Sequence, residues 1–318
     1  MFYRLRNYLN YAHFRHCTRG IHNTPPTPCC PEAACELHTM LSRRDLPLYL
    51  VAAKSFLRFH ADVAVVVHDD GSLDPACSIV LERHLPGCRI IHAAEADAKA
   101  AEALSSWPQL RHFRAIDASW RRLIDTDLWS RTEKRIIMDS DIITLRSPHQ
   151  VIEWIASDER PFLMGKPSAT PFVPTNQPAP TNAHVQTKFK AKVAELASAL
   201  GVPPVFEDGT TSAFYGCRPE ALPLERVERL LQAAAASGVP MHEWGGEQCT
   251  VVYLLSVAGA NRLSSEHYLN YYPDVEDRLS TAVLVHFIGT NRFHKNHYPQ
   301  LANRLVQELR ENSCLVSS

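Results

Sequence analysis

The chain has 318 residues, with 33 Lys and Arg against 34 Asp and Glu and a formal net charge of −1. It therefore has no basic excess with which to neutralise nucleic-acid phosphates. With 45% hydrophobic and 21% charged residues it reads as a globular protein able to bury a sizeable core, not as a disordered one. The longest apolar run, 251–260, is interrupted by Ser256 and falls well short of the ~20 residues that a membrane span needs.

The first 31 residues hold Arg4, Arg6, Arg15 and Arg19 and no acid. Phe2, Leu5, Leu9 and Ala12 recur at helical spacing, which predicts an amphipathic helix. Such a helix either docks on the body of the protein, the plainer expectation, or lies on an anionic membrane surface. No apolar core of a secretory signal is present, so the nine Cys are expected as reduced thiols in the cytoplasm. Cys29, Cys30 and Cys35 with His38 have metal-ligand chemistry, but the adjacent pair suits a tetrahedral zinc poorly, and plain thiols are expected. Residues 1–35 are read as a helix with a Pro/Cys-rich extension, and 36–318 as a single domain without internal repeats.

Residues 35–41 predict a first strand and 45–59 a helix with Leu48, Leu50, Val51, Ala53 and Leu57 on one face. The run 62–68 is the clearest buried strand, ending in the turn Asp69-Asp70-Gly71-Ser72 before a helix over 75–84. A strand over 89–91 and helices over 93–104 and 118–129 follow, then a strand over 134–138. This alternation implies a mostly parallel central sheet with helices on both faces, an α/β fold. Further on come a helix over 148–157 and a short strand over 161–165. Residues 166–183 carry five Pro and are read as a wall or lid over a cleft. Helices over 186–200, 224–237, 247–258 and 298–311, with strands over 210–217 and 282–287, complete the pattern.

Chemistry concentrates at strand ends. The apolar run 134–138 ends in Asp139-Ser140-Asp141, and a second apolar run follows. An unpaired acid is costly to bury, so the pair is expected where a strand opens into a cleft, positioned to share a divalent cation. The bland alternative is a turn acid that caps the next element. The strand over 282–287 includes His286, whose neutral imidazole suits a third ligand position, although a histidine there also serves structure alone. Gly289 permits close backbone approach, and Arg292 and Lys295 supply cations for phosphate oxygens. Gly245 and Gly246 precede a helix whose N-terminal N–H groups suit oxygens, with Glu247 and Gln248 facing the cleft or merely capping the helix.

In this order and at these strand ends, the stretches resemble a nucleotide-sugar glycosyltransferase of the GT-A fold, closest to family eight, the glycogenin-like and galactosyltransferase-like group. Met138-Asp139-Ser140-Asp141 matches the family's Asp-x-Asp strand end. His286-Phe287-Ile288-Gly289-Thr290-Asn291-Arg292 matches its late His-Phe-x-Gly-x-x-Lys motif, with Arg in the Lys place, and Glu247-Gln248 stands where the family has Asp-Gln. The resemblance spans roughly 36–296 as an order of motifs. It implies Mn²⁺ or Mg²⁺ on Asp139, Asp141 and His286, and a nucleoside diphosphate sugar as donor to a sugar, lipid or protein acceptor. It also implies a catalytic or orienting place for Glu247 and Gln248, and places His38, Thr39, Asp69 and Asp70 near base and ribose. One rival is a haloacid dehalogenase type phosphohydrolase, but that chemistry wants a small hydroxyl residue where Ile143 stands. The other is a protein of the same shape that binds nucleotide sugar without transfer.

Overall fold

The computed structural model describes residues 2–157, 159–166, 172–174 and 179–316. Helix α1 (Phe2–Cys17) precedes β1 (Cys35–Leu41), α2 (Leu46–Leu57), β2 (Ala64–Asp69), α3 (Pro75–His84), β3 (Arg89–Ile91) and α4 (Ala93–Ala103). Helices α5 (Pro108–Arg114) and α6 (Ala118–Trp129) lead into β4 (Lys134–Met138), β5 (Ile142–Thr144), α7 (His149–Ala156) and β6 (Phe162–Gly165). Then come α8 (Val185–Leu200), β7 (Thr210–Cys217), α9 (Leu224–Ala236) and α10 (Gly246–Val257). The chain closes with β8 (Asn261–Arg262), β9 (Tyr268–Asn270), β10 (Leu284–His286) and α11 (His297–Val316).

Seven strands form the central sheet in the order β3-β2-β1-β4-β7-β6-β8. β3, β2, β1 and β4 are mutually parallel, whereas β7 runs antiparallel to both β4 and β6. The second half therefore departs from the simple strand–helix alternation. All eight residues of β7 are buried, so no polar alternation in the sequence marks its direction. A second, three-stranded sheet has the order β5-β10-β9.

The period-2 alternation of β4 divides the core. Ile136 and Met138 join one cluster with Leu37, Val65 and Val67, while Ile137 faces a second cluster around α6, α8, α9 and α10. Helix α2 lies almost wholly within the first cluster, and Lys54, enclosed there, donates to the Pro25 carbonyl at 2.5 Å. Tyr11, Phe14, Ile21 and Cys29 belong to that same core, so the N-terminal segment is packed onto the body, but α1 docks through Tyr11 and Phe14 and leaves Leu5 and Leu9, on the expected apolar face, exposed. Complete burial of Phe14 alone is worth about 2–3 kcal/mol.

The described cysteines Cys17, Cys29, Cys30, Cys35, Cys77, Cys88, Cys217 and Cys249 are free thiols. Burial pushes Cys35 up to about 12, which keeps it protonated and a poor metal ligand. Of the wall over 166–183, residues 167–171 and 175–178 lie outside the described residues. Lys166, at its start, pairs with Asp274 at 3.1 Å and lies 4.0 Å from the Tyr272 ring centroid. Among the described residues no helix is long and apolar enough to cross a membrane.

Candidate metal centre

The Asp139-Ser140-Asp141 turn is the joint between the two sheets. Asp139 N–H donates to the Ala213 carbonyl at 2.9 Å and so extends β4 along β7. Two residues later the Asp141 carbonyl accepts from Phe287 N–H at 3.0 Å, which starts the antiparallel pairing of β5 with β10. The register sets His286 opposite Ile142, beside Asp141. Residues 145 apart in the chain thus meet at the carboxyl end of β4, where an open α/β sheet offers its crevice.

One oxygen of each acid and one nitrogen of His286 lie within 4.8 Å of one another. His286 Nε2 is 3.3 Å from Asp141 Oδ1 and 3.9 Å from Asp139 Oδ2. The other ring nitrogen, Nδ1, bonds Asn270 Oδ1 at 2.6 Å, so Nδ1 carries the proton and Nε2 turns to the carboxylates. Asn270 ends β9, which pairs in parallel with β10 and aligns Asn270 with His286. Two carboxylates and an imidazole with its far nitrogen anchored suit a divalent cation such as Mn²⁺ or Mg²⁺. Among the described residues this is the one such group of acids, histidines or cysteines.

Two arginines balance the acids. Arg292 Nη2 donates to Asp141 Oδ2 at 2.6 Å, and Arg122, from α6, donates to Asp139 Oδ1. Burial alone would raise the Asp141 carboxyl, but Arg292 and His286 together hold it well below the usual carboxylate range. Arg122 also donates to Glu247 Oε1 at 3.1 Å and Ser212 Oγ at 3.2 Å, and Ser212 Oγ donates to Glu247 Oε2 at 2.8 Å. Glu247 thus sits buried behind Arg122, not in the cleft, and burial raises its carboxyl despite these partners.

The other expected residues separate into two groups. Gln248 lines a cavity of about 240 Å³ together with Gly245, Asn270, Tyr272 and Ile288, so this space shares with the Asp/His cluster the residue that anchors His286; its amide donates to the Thr210 carbonyl at 3.1 Å. Gly245 has φ +99, and a Cβ on Gly246 would stand 1.9 Å from the Met241 carbonyl oxygen. These glycines therefore serve the protein's own turn and packing, and what they leave open to a ligand is the cavity beside Gly245. Gly289 has φ +46 and open space where a Cβ would stand.

His38 and Thr39 lie inside the sheet, closed to any nucleotide. His38 bonds His68 at 2.9 Å and Glu36 at 3.1 Å, and Thr39 Oγ1 donates to the Met138 carbonyl at 2.7 Å. Both faces of β1 are covered here, which the resemblance by itself does not reveal. Asp69 accepts from the N–H groups of Gly71 and Leu73 at 2.8 and 3.0 Å, and Asp70 from Ser72 N–H at 2.9 Å, so both carboxylates build the turn after β2. Lys295, with its side chain 60% exposed, pairs with Glu276 at 2.8 Å.

Sequence reasoning missed Arg122 and Asn270. Arg122 lies in a helix whose pattern marks only burial, and Asn270 ends a three-residue strand with no periodicity to find. A larger cavity, about 680 Å³, lies at the amino end of the sheet near Arg89 and Lys134, away from these groups.

No family model and no curated protein sequence matches the chain. Among solved structures, it is similar to the bifunctional glycosyltransferase WbbM at 10% identity and a TM-score of 0.51, covering 88% of this chain and 52% of that one. The galactosyltransferase LgtC, in complex with donor and acceptor sugar analogues, is similar at 14% identity and a TM-score of 0.48, covering 87% and 95%. The mannosyltransferase Ktr4p from S. cerevisiae, in complex with GDP, is similar at 8% identity and a TM-score of 0.47, covering 78% and 77%. At such identities a likeness speaks for architecture alone, and the architecture is the GT-A glycosyltransferase fold.

Proposed function

We propose that the chain is a metal-dependent glycosyltransferase, moving a sugar from a nucleoside diphosphate sugar to an acceptor, with Mn²⁺ or Mg²⁺ on Asp139, Asp141 and His286. The observation that carries this reading is the convergence of those three side chains within 4.8 Å at the carboxyl edge of a GT-A sheet. A divalent cation bound there supplies Lewis-acid stabilisation of charge on a departing diphosphate. The chain's own residues prepare that setting. Asn270 prevents the His286 ring from turning, and Arg122 holds the Asp139 carboxylate. Arg292 places a fixed positive charge beside Asp141, where the phosphate oxygens of a donor would collect it. Gln248, on the adjoining cavity, presents an amide for the hydroxyls of the sugar or acceptor. Glu247 acts by holding Arg122. Gly289 leaves its backbone open to a ligand, and Lys295 would serve phosphate only by giving up its pairing with Glu276.

The test is a panel of nucleotide sugars assayed for metal-dependent hydrolysis in the absence of acceptor. Release of nucleoside diphosphate from at least one donor, abolished by EDTA and restored by Mn²⁺, is expected. Turnover unaffected by EDTA, or none with any donor, would sink the reading.

A further inference from the structure

The docked helix α1 reaches the candidate centre itself. Arg292 spends Nη2 on Asp141 Oδ2, Nη1 on the Tyr11 hydroxyl, and Nε on the Phe287 carbonyl at 3.3 Å. The guanidinium is thus held from three sides by β10's end, the acid and α1. Packing fixes the Tyr11 ring in turn. Phe293 meets it edge-on with centroids 5.2 Å apart, and the Arg44 guanidinium lies 4.6 Å from its centroid. Three residues further along the same helix face, Phe14 packs on Tyr298 at 4.7 Å and anchors α1 to α11. Burial pushes the Tyr11 phenol up to about 12, so at neutral pH it remains an uncharged acceptor for Arg292.

This contact matters because of a competition at Asp141. Arg292 and a bound cation both draw on that carboxylate. A cation held on Asp141 Oδ1, the oxygen facing His286, would repel the guanidinium on Oδ2 and weaken that hold, which leaves the Tyr11 hydroxyl and the Phe287 carbonyl as the anchors that no cation opposes. An arginine freed of anchors regains rotamer freedom that diphosphate binding must remove again. We propose that Tyr11 is a positioning residue of the donor site: its hydroxyl keeps the Arg292 guanidinium aimed at the diphosphate, and α1 is thereby part of that site. The inference rests on the reading of the centre as a donor diphosphate site.

The experiment is a double-mutant cycle on the full chain. UDP, GDP, ADP, CDP and dTDP are titrated calorimetrically with Mg²⁺ present, and the tightest binder is carried through Tyr11→Phe, Arg292→Met and the double variant. Tyr11→Phe is expected to weaken binding about tenfold, the loss of one hydrogen bond to a charged group. Its melting temperature should stay within about 3 °C of the parent, because the ring and its packing remain. Arg292→Met should weaken binding more, and the double variant no further than Arg292→Met alone. Parent-like binding by Tyr11→Phe beside weakened Arg292→Met would overturn the proposal and leave the donor reading standing. Multiplying effects in the double variant would overturn it too, since Tyr11 would then act apart from Arg292. Parent-like binding by Arg292→Met, or no binding of any nucleotide by the parent, would remove the donor reading and the proposal together. Phe293→Leu is the packing control: it loosens the same contact without touching the hydroxyl. Equal weakening by that variant would reduce Tyr11 to a structural role and overturn the proposal.

Discussion

Glu36, His38, His68 and Arg89 form one polar cluster within the sheet, and Asp139, Asp141, His286 and Arg292 form another at its carboxyl edge. Both are built from carboxylate, imidazole and guanidinium groups, but the arrangement is opposite. In the first, acceptors meet donors. Glu36 receives His38 at 3.1 Å, Arg89 at 2.6 Å, and Ser130 Oγ and Arg131 N–H at 2.8 Å each, leaving only His68 Nδ1 and Arg89 Nη1 without a partner. In the second, acceptors meet acceptors. Two carboxylates and an imidazole turn ligand atoms toward one another, and the Asp139 side chain keeps 30% of its surface open. Closed pairing stabilises a fold, whereas converging lone pairs are tolerable only beside positive charge. Chemistry is thus read from which atoms face each other, not from the roll of residue types.

The largest effect expected is at the open cluster. Asp141→Asn should lower metal-dependent donor turnover by at least about 10²- to 10³-fold while the chain still folds. Parent-rate turnover at saturating Mn²⁺ would erase the contrast between the clusters. Next, Asn270→Leu frees the His286 ring and should weaken Mn²⁺ affinity by about 10- to 100-fold, as measured by calorimetry. Unchanged affinity would mean that His286 needs no such anchor.

The closed cluster should answer in stability instead. Glu36→Gln breaks its pairing with Arg89 and His38 and should cost about 2–4 kcal/mol in denaturant melts. Turnover per folded molecule should match the parent, and a fall in turnover without a fall in stability would make this cluster functional. The smallest effect is its pH dependence. Burial lowers His38 and His68, so the folded chain resists protonating them, while the unfolded chain takes up those protons near pH ~6.5. Their contribution is complete above that pH and declines as the pH falls. Glu36 is pushed upward by burial, yet its partners, His38 foremost, bring it down to about 2. It adds a second loss below about pH 4.5. Melting temperatures at pH 7.5, 6 and 5 should therefore descend, and a rise on acidification would contradict the pairing.

Much of the fold was legible because its signals are local. The buried runs of β1, β2 and β4 and the turn after β2 each lie within a few residues of the pattern that marks them. The strand-end acids were legible for the same reason, since an acid after an apolar run has few inexpensive places to go. What escaped is long-range or short in extent. Arg122 reaches Asp139 across 17 residues and Glu247 across 125, and Tyr11 reaches Arg292 across 281. No local periodicity records such pairings. β9, three residues long, has no room for one, and with it went Asn270. His38 shows the converse error. The resemblance alone places it near the nucleotide, and only the neighbouring His68 and Glu36 reveal that this mid-strand position is closed.

The measurement that bears most directly on the open cluster is Mn²⁺ binding followed by the electron paramagnetic resonance signal of the free ion. The parent chain should take up one Mn²⁺, more tightly in the presence of the nucleoside diphosphate it prefers, and Asp141→Asn should lose that uptake. Equal uptake by the parent and Asp141→Asn, or none by the parent with nucleotide present, would contradict a metal centre on Asp139, Asp141 and His286.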